Sequence, residues 1–275
     1  MMWREAYEII RQVLDDLGEK NAGLISAGVA FYGLFAIFPG LAATIAIFGL
    51  VADPVVVNSQ LEMLRGLMPP EVMGLFENQI QSILSARSET LGVATALSIG
   101  VALWSVRAGV AALIQGINAI FEQPNRGLAR QVLVALLMSA SLVGVAIVAL
   151  LLVVVAPVVL TLVPFNTDQE ILLELARWSV VVLVMLAGLG IVYRYGPNRR
   201  GDRLGWFTPG AFLVVALWIA MSAVFSIYVA NFGNYNEVYG SLGAVIVLLL
   251  WFYLSSFLVM VGAALNVTLD RRKPL

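Results

Sequence analysis

LGVATALSIGVALWSVRAGVAALIQGINAIF, Leu91–Phe121, carries a single formal charge, Arg107. At about 1.5 Å of rise per residue such a helix exceeds the roughly 30 Å hydrocarbon core of a bilayer. It reads as a transmembrane helix with an arginine near its middle. Arg107 lies roughly 20 Å from either end, too deep to reach the headgroups by snorkelling. Its insertion costs about 2.5–3.5 kcal/mol at a helix centre, so something should meet its five donors. Two readings follow. Either the guanidinium faces a wet cavity and binds a solute, or it ties helices together through backbone carbonyls and amides.

The whole chain has this character: of 275 residues 61% are hydrophobic and 12% charged, with a mean hydropathy of +0.94. Soluble domains run about 45–50% apolar and about 25% charged. The net charge of −1 offers no basic surface for nucleic acid. With no histidine and no cysteine, the commonest general base, the commonest metal ligand and any disulfide are missing together, and no cofactor or metal motif is found. The GxxxxGK[ST] nucleotide loop does not occur either, so transport by this chain would be passive, secondary or driven by a partner.

Six apolar runs are long enough to span: Leu24–Ala52, Leu91–Ala119, Val132–Val163, Ile171–Tyr193, Phe207–Ala230 and Gly240–Val267. Pro39 and Pro157 should kink the first and third. The fourth carries Glu174 and Arg177 in its first two turns. The predicted class is therefore an all-α polytopic protein in one membrane domain, residues 1–275, whose main partner is the bilayer. Twelve Lys and Arg flank one side of these spans and three, Arg65, Arg87 and Arg177, flank the other. The positive-inside rule puts both termini in the cytoplasm.

Two further segments read as surface helices. In residues 1–23, Trp3, Tyr7, Ile10, Leu14 and Leu17 form an apolar stripe opposite a face with five acids. This predicts an interfacial cytoplasmic helix that packs on the bundle. The polar start and the long run that follows do not resemble a cleaved signal. Residues 53–89 are rich in helix formers and divided by Pro69-Pro70, predicting an extracytoplasmic helical hairpin, either a lid or simple cover.

On the second spanning helix Ala111, Gln115 and Asn118 fall about 40°, 80° and 20° from Arg107, one polar strip beside the small residues Ala108, Ala112 and Gly116. Ser26 and Tyr32 on the first helix, and Ser255 and Asn266 on the last, add polar groups. Together with Arg107, Gln115 and Asn118 they could line a substrate cavity or merely bond helices to one another. The last external connection holds Asn231, Asn234, Tyr235, Glu237 and Tyr239, a gate candidate whose Glu237 is a conceivable counter-charge for Arg107.

Three blocks carry a family resemblance: AGVAFYGLFAIFP at Ala27–Pro39, LWSVRAGVAALIQGIN at Leu103–Asn118, and ANFGNYNEVYGSLGAVIVLLLWFYLSSFLVMVGAALN ending at Asn266, with YRYGPNRR before Pro209. The chain resembles the YihY/BrkB family of bacterial inner-membrane proteins, also catalogued as ribonuclease BN-like. It departs at Ala36, where the family more often has a serine ahead of the Phe-Pro pair. The resemblance implies a role in serum resistance, envelope lipid traffic or solute export. Arg107, whose planar fork suits carboxylate or phosphate, then points to a transporter or exporter of an anionic or zwitterionic solute or a lipid headgroup, with a non-transporting scaffold as alternative. A ribonuclease is disfavoured, because without His or Cys it would rest on clustered carboxylates.

Overall fold

Apolar composition without β-branched alternation, long uncharged runs and few internal breakers favour helices, which make up most of the described residues. The computed structural model describes residues 2–51, 88–150, 167–199, 201, 203–231 and 241–272. They form seven helices: α1 (Met2–Glu19), α2 (Ala22–Val51), α3 (Ser88–Ile120), α4 (Leu128–Leu150), α5 (Thr167–Tyr195), α6 (Pro209–Asn231) and α7 (Ser241–Arg271). There is no strand among the described residues. Helices α3 to α7 are each long and apolar enough to cross a membrane, and the pair α1–α2 brings the total to as many as six. Pro39 falls within helical α2. Pro157, the 53–87 part of the hairpin segment, and Asn234, Tyr235, Glu237 and Tyr239 lie outside the described residues.

The helices pack as a ring in chain order, α2 on α3, α3 on α4, α4 on α5, α5 on α6 and α6 on α7. Helix α7 closes it against α2 and also touches α3 and α1. Large apolar side chains cover the outside: Leu24, Phe31, Phe35, Leu97, Trp104, Leu137 and Val224 are all exposed. Such an apolar surface suits lipid rather than water. The buried core is built from Ile114, Ile117 and Ile120 of α3, Met260, Ala263 and Ala264 of α7, Tyr193 of α5 and Leu17 of α1.

Helix α1 meets α2 at a 62° bend. Asn21 takes φ +53° there, a left-handed conformation that asparagine tolerates better than most residues. The bend turns Val13 and Leu17 into the core and leaves Tyr7, Ile10 and Leu14 exposed. The predicted apolar stripe is therefore divided, part of it packing on the bundle and part facing outward. Where α5 begins, Arg177 and Trp178 both donate to the Glu174 carboxylate, so the charges at the edge of the fourth span neutralise each other at an aromatic residue suited to an interface.

Candidate functional site

Arg107 is half-buried on α3, on the side of that helix that carries exposed Leu97, Trp104 and Gln115. Its guanidinium carbon lies 4.2 Å from the centre of the Trp104 ring, a cation–π stack. The ring itself is 64% exposed. Its Nε is buried with no hydrogen-bond partner. Among the described residues no carboxylate pairs with it. The small residues of α3 face the other way: Gly109 lies against Tyr32 and the backbone of Val29, and a Cβ at Gly116 would strike Met260 and Ile25. Close packing at Gly109 and Gly116 and the exposed Trp104 and Gln115 thus occupy different faces of one helix.

The remaining candidates are dispersed rather than gathered round Arg107. Asn118 is buried; its Nδ2 donates to Asn125 Oδ1 at 3.0 Å and its Oδ1 accepts the Asn198 amide at 2.8 Å. Asn266 Oδ1 accepts the Gly210 amide at 2.8 Å, and its Nδ2 donates to Thr208 Oγ1. Ser255 Oγ accepts from the Trp218 indole at 3.2 Å. Ser26 is buried, its carbonyl accepting from Ser256 and its own hydroxyl unpartnered. Tyr32 is exposed and packs edge-on to Phe31. Asn231 is the last residue of α6.

Several of these bonds belong to a clasp that sequence reasoning missed. The triplet Pro-Asn-Arg occurs twice, at 124–126 after α3 and at 197–199 after α5. Arg126 donates to the carbonyls of Tyr195, Gly196 and Pro197 at 2.7–3.1 Å, capping the C-terminal end of α5, where a cation is favoured. Asn198 returns a bond to the Pro124 carbonyl, and Arg199 pairs with Asp270 of α7 while lying over Phe121. The repeated triplet was the available signal, but its pairing is a long-range fact. Beside the clasp, Glu122 accepts ion pairs from Lys20 and Arg271, and Arg271 also reaches Asp16, so both ends of the described chain meet at one end of the bundle. Among the described residues no group of three His, Cys, Asp or Glu is placed to hold a metal.

A ring of long apolar helices, clasped by polar loops at one end and coated with exposed Leu, Val, Phe and Trp, defines a polytopic membrane-embedded protein. The chain belongs to the BrkB family: the family model described as "Virulence factor BrkB" matches residues 13–274. It is 32% identical over 257 residues to a putative ribonuclease-like protein of Bacillus subtilis, covering 91% of this chain and 90% of that one. It is also 30% identical over 93 residues to a UPF0761 membrane protein of Idiomarina loihiensis, covering 34% of this chain and 32% of the relative. A UPF0761 membrane protein of Xanthomonas campestris is 36% identical over 100 residues, 36% of this chain and 23% of the relative. No solved structure matches.

Proposed function

We propose that this protein is a non-enzymatic transporter or exporter of the bacterial inner membrane with both termini in the cytoplasm. Its cargo is an anionic or zwitterionic solute or a molecule bearing a lipid headgroup, met by Arg107. The observation that carries the reading is the Arg107 guanidinium: it is half-buried in a spanning helix, its buried Nε lacks a hydrogen-bond partner, and no carboxylate pairs with it among the described residues. Its planar fork suits a carboxylate or phosphate through two parallel hydrogen bonds. Trp104 and Gln115 beside it are exposed, so cargo can reach Arg107 without entering an enclosed cavity, which suits a molecule arriving from the lipid. The twelve-to-three distribution of basic residues supports the orientation.

A second reading, a scaffold that organises envelope or lipid proteins without transport, draws support from Asn118, Asn266 and Ser255, whose side chains are engaged within the protein. Arg107→Lys and Arg107→Leu separate the two. For a transporter both variants keep wild-type thermal stability in detergent. Both also fail a complementation or export assay, because lysine keeps the charge without the fork and leucine keeps neither. If Arg107 ties helices together instead, Arg107→Leu loses about 1–3 kcal/mol of stability. If both variants remain fully active, Arg107 is not the cargo residue. Lipid and metabolite profiles of cells lacking or overproducing the protein would then identify the cargo class.

A further inference from the structure

A second set of arginines lies where α4 begins beside the connection from α5 to α6. Arg203 places its guanidinium carbon 5.1 Å from the Tyr195 ring centre, and Arg194 sits 5.9 Å from Tyr195 and 5.7 Å from Trp206. The two rings pack edge to face at 6.0 Å, and Arg194 is fixed by a 2.7 Å bond to the Leu204 carbonyl. Arg126 is anchored to the carbonyls of the same turn, and Arg130 lies four positions further on, in the first turn of α4. Burial first, and then the charges of Arg130 and Arg203, pull the Arg126 pKa below the ordinary arginine value. Arg126 thus lies within the field of both Arg130 and Arg203.

Among the described residues no carboxylate pairs with Arg126, Arg130, Arg194 or Arg203, whereas their sequence neighbour Arg199 is matched by Asp270. Asp202 lies outside the described residues. The Nε atoms of Arg126 and Arg194 are buried without partners. Like charges held together by their own framework are stabilised by a bound anion, and aromatic faces hold arginine forks in fixed planes. The apolar surroundings give the anion's source. Leu128, the first residue of α4, is 83% exposed, and Trp206 and Phe207, just before α6, are 43% and 58% exposed. Exposed apolar side chains at the level where two spanning helices start belong in the headgroup and upper acyl region. Basic pockets between spanning helices at this depth take anionic lipid headgroups.

We propose that Arg130 and Arg203, backed by Arg126 and flanked by Trp206 and Phe207, form a site for the phosphate of an anionic phospholipid in the leaflet at the clasp end of the bundle. Arg126 and Arg194 are committed to backbone carbonyls, so the outward-facing pair Arg130 and Arg203 supplies the free donors.

The test titrates phosphatidylglycerol or phosphatidylcholine into the full-length protein in non-ionic detergent and counts bound lipid by native mass spectrometry. Phosphatidylglycerol should bind at least tenfold tighter than phosphatidylcholine. Each of Arg130→Gln and Arg203→Gln should weaken it about fivefold, and the pair about 25-fold, as expected for one surface charge apiece. Arg130→Lys with Arg203→Lys should keep most of the preference, and Arg11→Gln, whose guanidinium is paired with Asp15 on α1, should change nothing. Equal binding of the two lipids, or undiminished phosphatidylglycerol binding by the Gln variants, overturns the site. Displacement of phosphatidylglycerol by millimolar inorganic phosphate overturns the lipid assignment in favour of a free-anion site. Both side chains are exposed, so the single variants should keep the wild-type melting temperature.

Discussion

Asn118 and Asn198 are 80 positions apart in the chain and joined by a 2.8 Å hydrogen bond from the Asn198 amide to the Asn118 carboxamide oxygen. That bond, with the one from Asn118 to Asn125, ties the end of α3 to both loops that carry the Pro-Asn-Arg triplet. The polar residue at the foot of the Arg107 strip is thus a structural pin.

Asn118→Leu should therefore destabilise the protein by about 1–3 kcal/mol, because it strands the Asn198 amide and the Asn125 carboxamide at once. Asn125→Ala, at an exposed position, should cost less than half as much. Melting temperatures in one detergent compare the two directly, and equal losses would sink the pin.

Gly210 and Gly262 bring α6 and α7 into backbone contact. A Cβ on Gly262 would meet the Tyr193 hydroxyl, Val214 at 2.5 Å and the Gly210 carbonyl at 2.8 Å. Gly262→Ala should lose about 1–3 kcal/mol through forced backbone shifts. Gly28→Ala, where a Cβ meets nothing within 4 Å, should be neutral or stabilising by up to about 1 kcal/mol, since alanine favours the helix. A tolerated Gly262→Ala would mean that the helices separate easily there.

Glu122 combines a left-handed φ of +53° with ion pairs to Lys20 and Arg271. The conformation costs about 1–2 kcal/mol relative to glycine, and exposed pairs return about 0.2–1 kcal/mol that salt screens. Glu122→Gly should be close to wild type at low ionic strength and clearly more stable at 1 M salt. The measurement is melting temperature across a salt series; loss of stability at high salt would contradict it.

The Arg107 strip makes a prediction for thiol labelling, with a clean background because the chain has no cysteine. Gln115 lies about 7.5 Å from the end of α3 and Ala111 about 13.5 Å, at 1.5 Å per residue. Gln115→Cys should react with a membrane-impermeant maleimide from the clasp side, and Ala111→Cys with a lipid-permeant one alone. Reaction of Ala111→Cys with the impermeant reagent would instead reveal an aqueous cavity at that depth. Applying the impermeant reagent to intact cells and to inverted vesicles also reads the orientation: labelling of Gln115→Cys in the vesicles and not in the cells places the clasp end in the cytoplasm.

The sequence by itself determined the helical class and, among the described residues, the approximate extents of several spans. Leu24–Ala52 became α2 at Ala22–Val51, and Gly240–Val267 became α7 at Ser241–Arg271, because apolar length against bilayer thickness is a local property. The family was legible in the same stretches. Only the tertiary structure decided how each polar residue is used. Asn118, Asn266 and Ser255 look alike on a helical wheel, yet each bonds a group 37 to 80 positions away, and no periodicity encodes such a partner. Arg107 shows the converse, since a sequence can expose a missing neighbour but cannot say whether a distant one arrives. The division of the α1 stripe had the same cause: the bend at Asn21 sets which side of a locally amphipathic helix meets the bundle. Local composition fixes what must leave water, whereas the packing of distant helices decides which donors and acceptors are left to act.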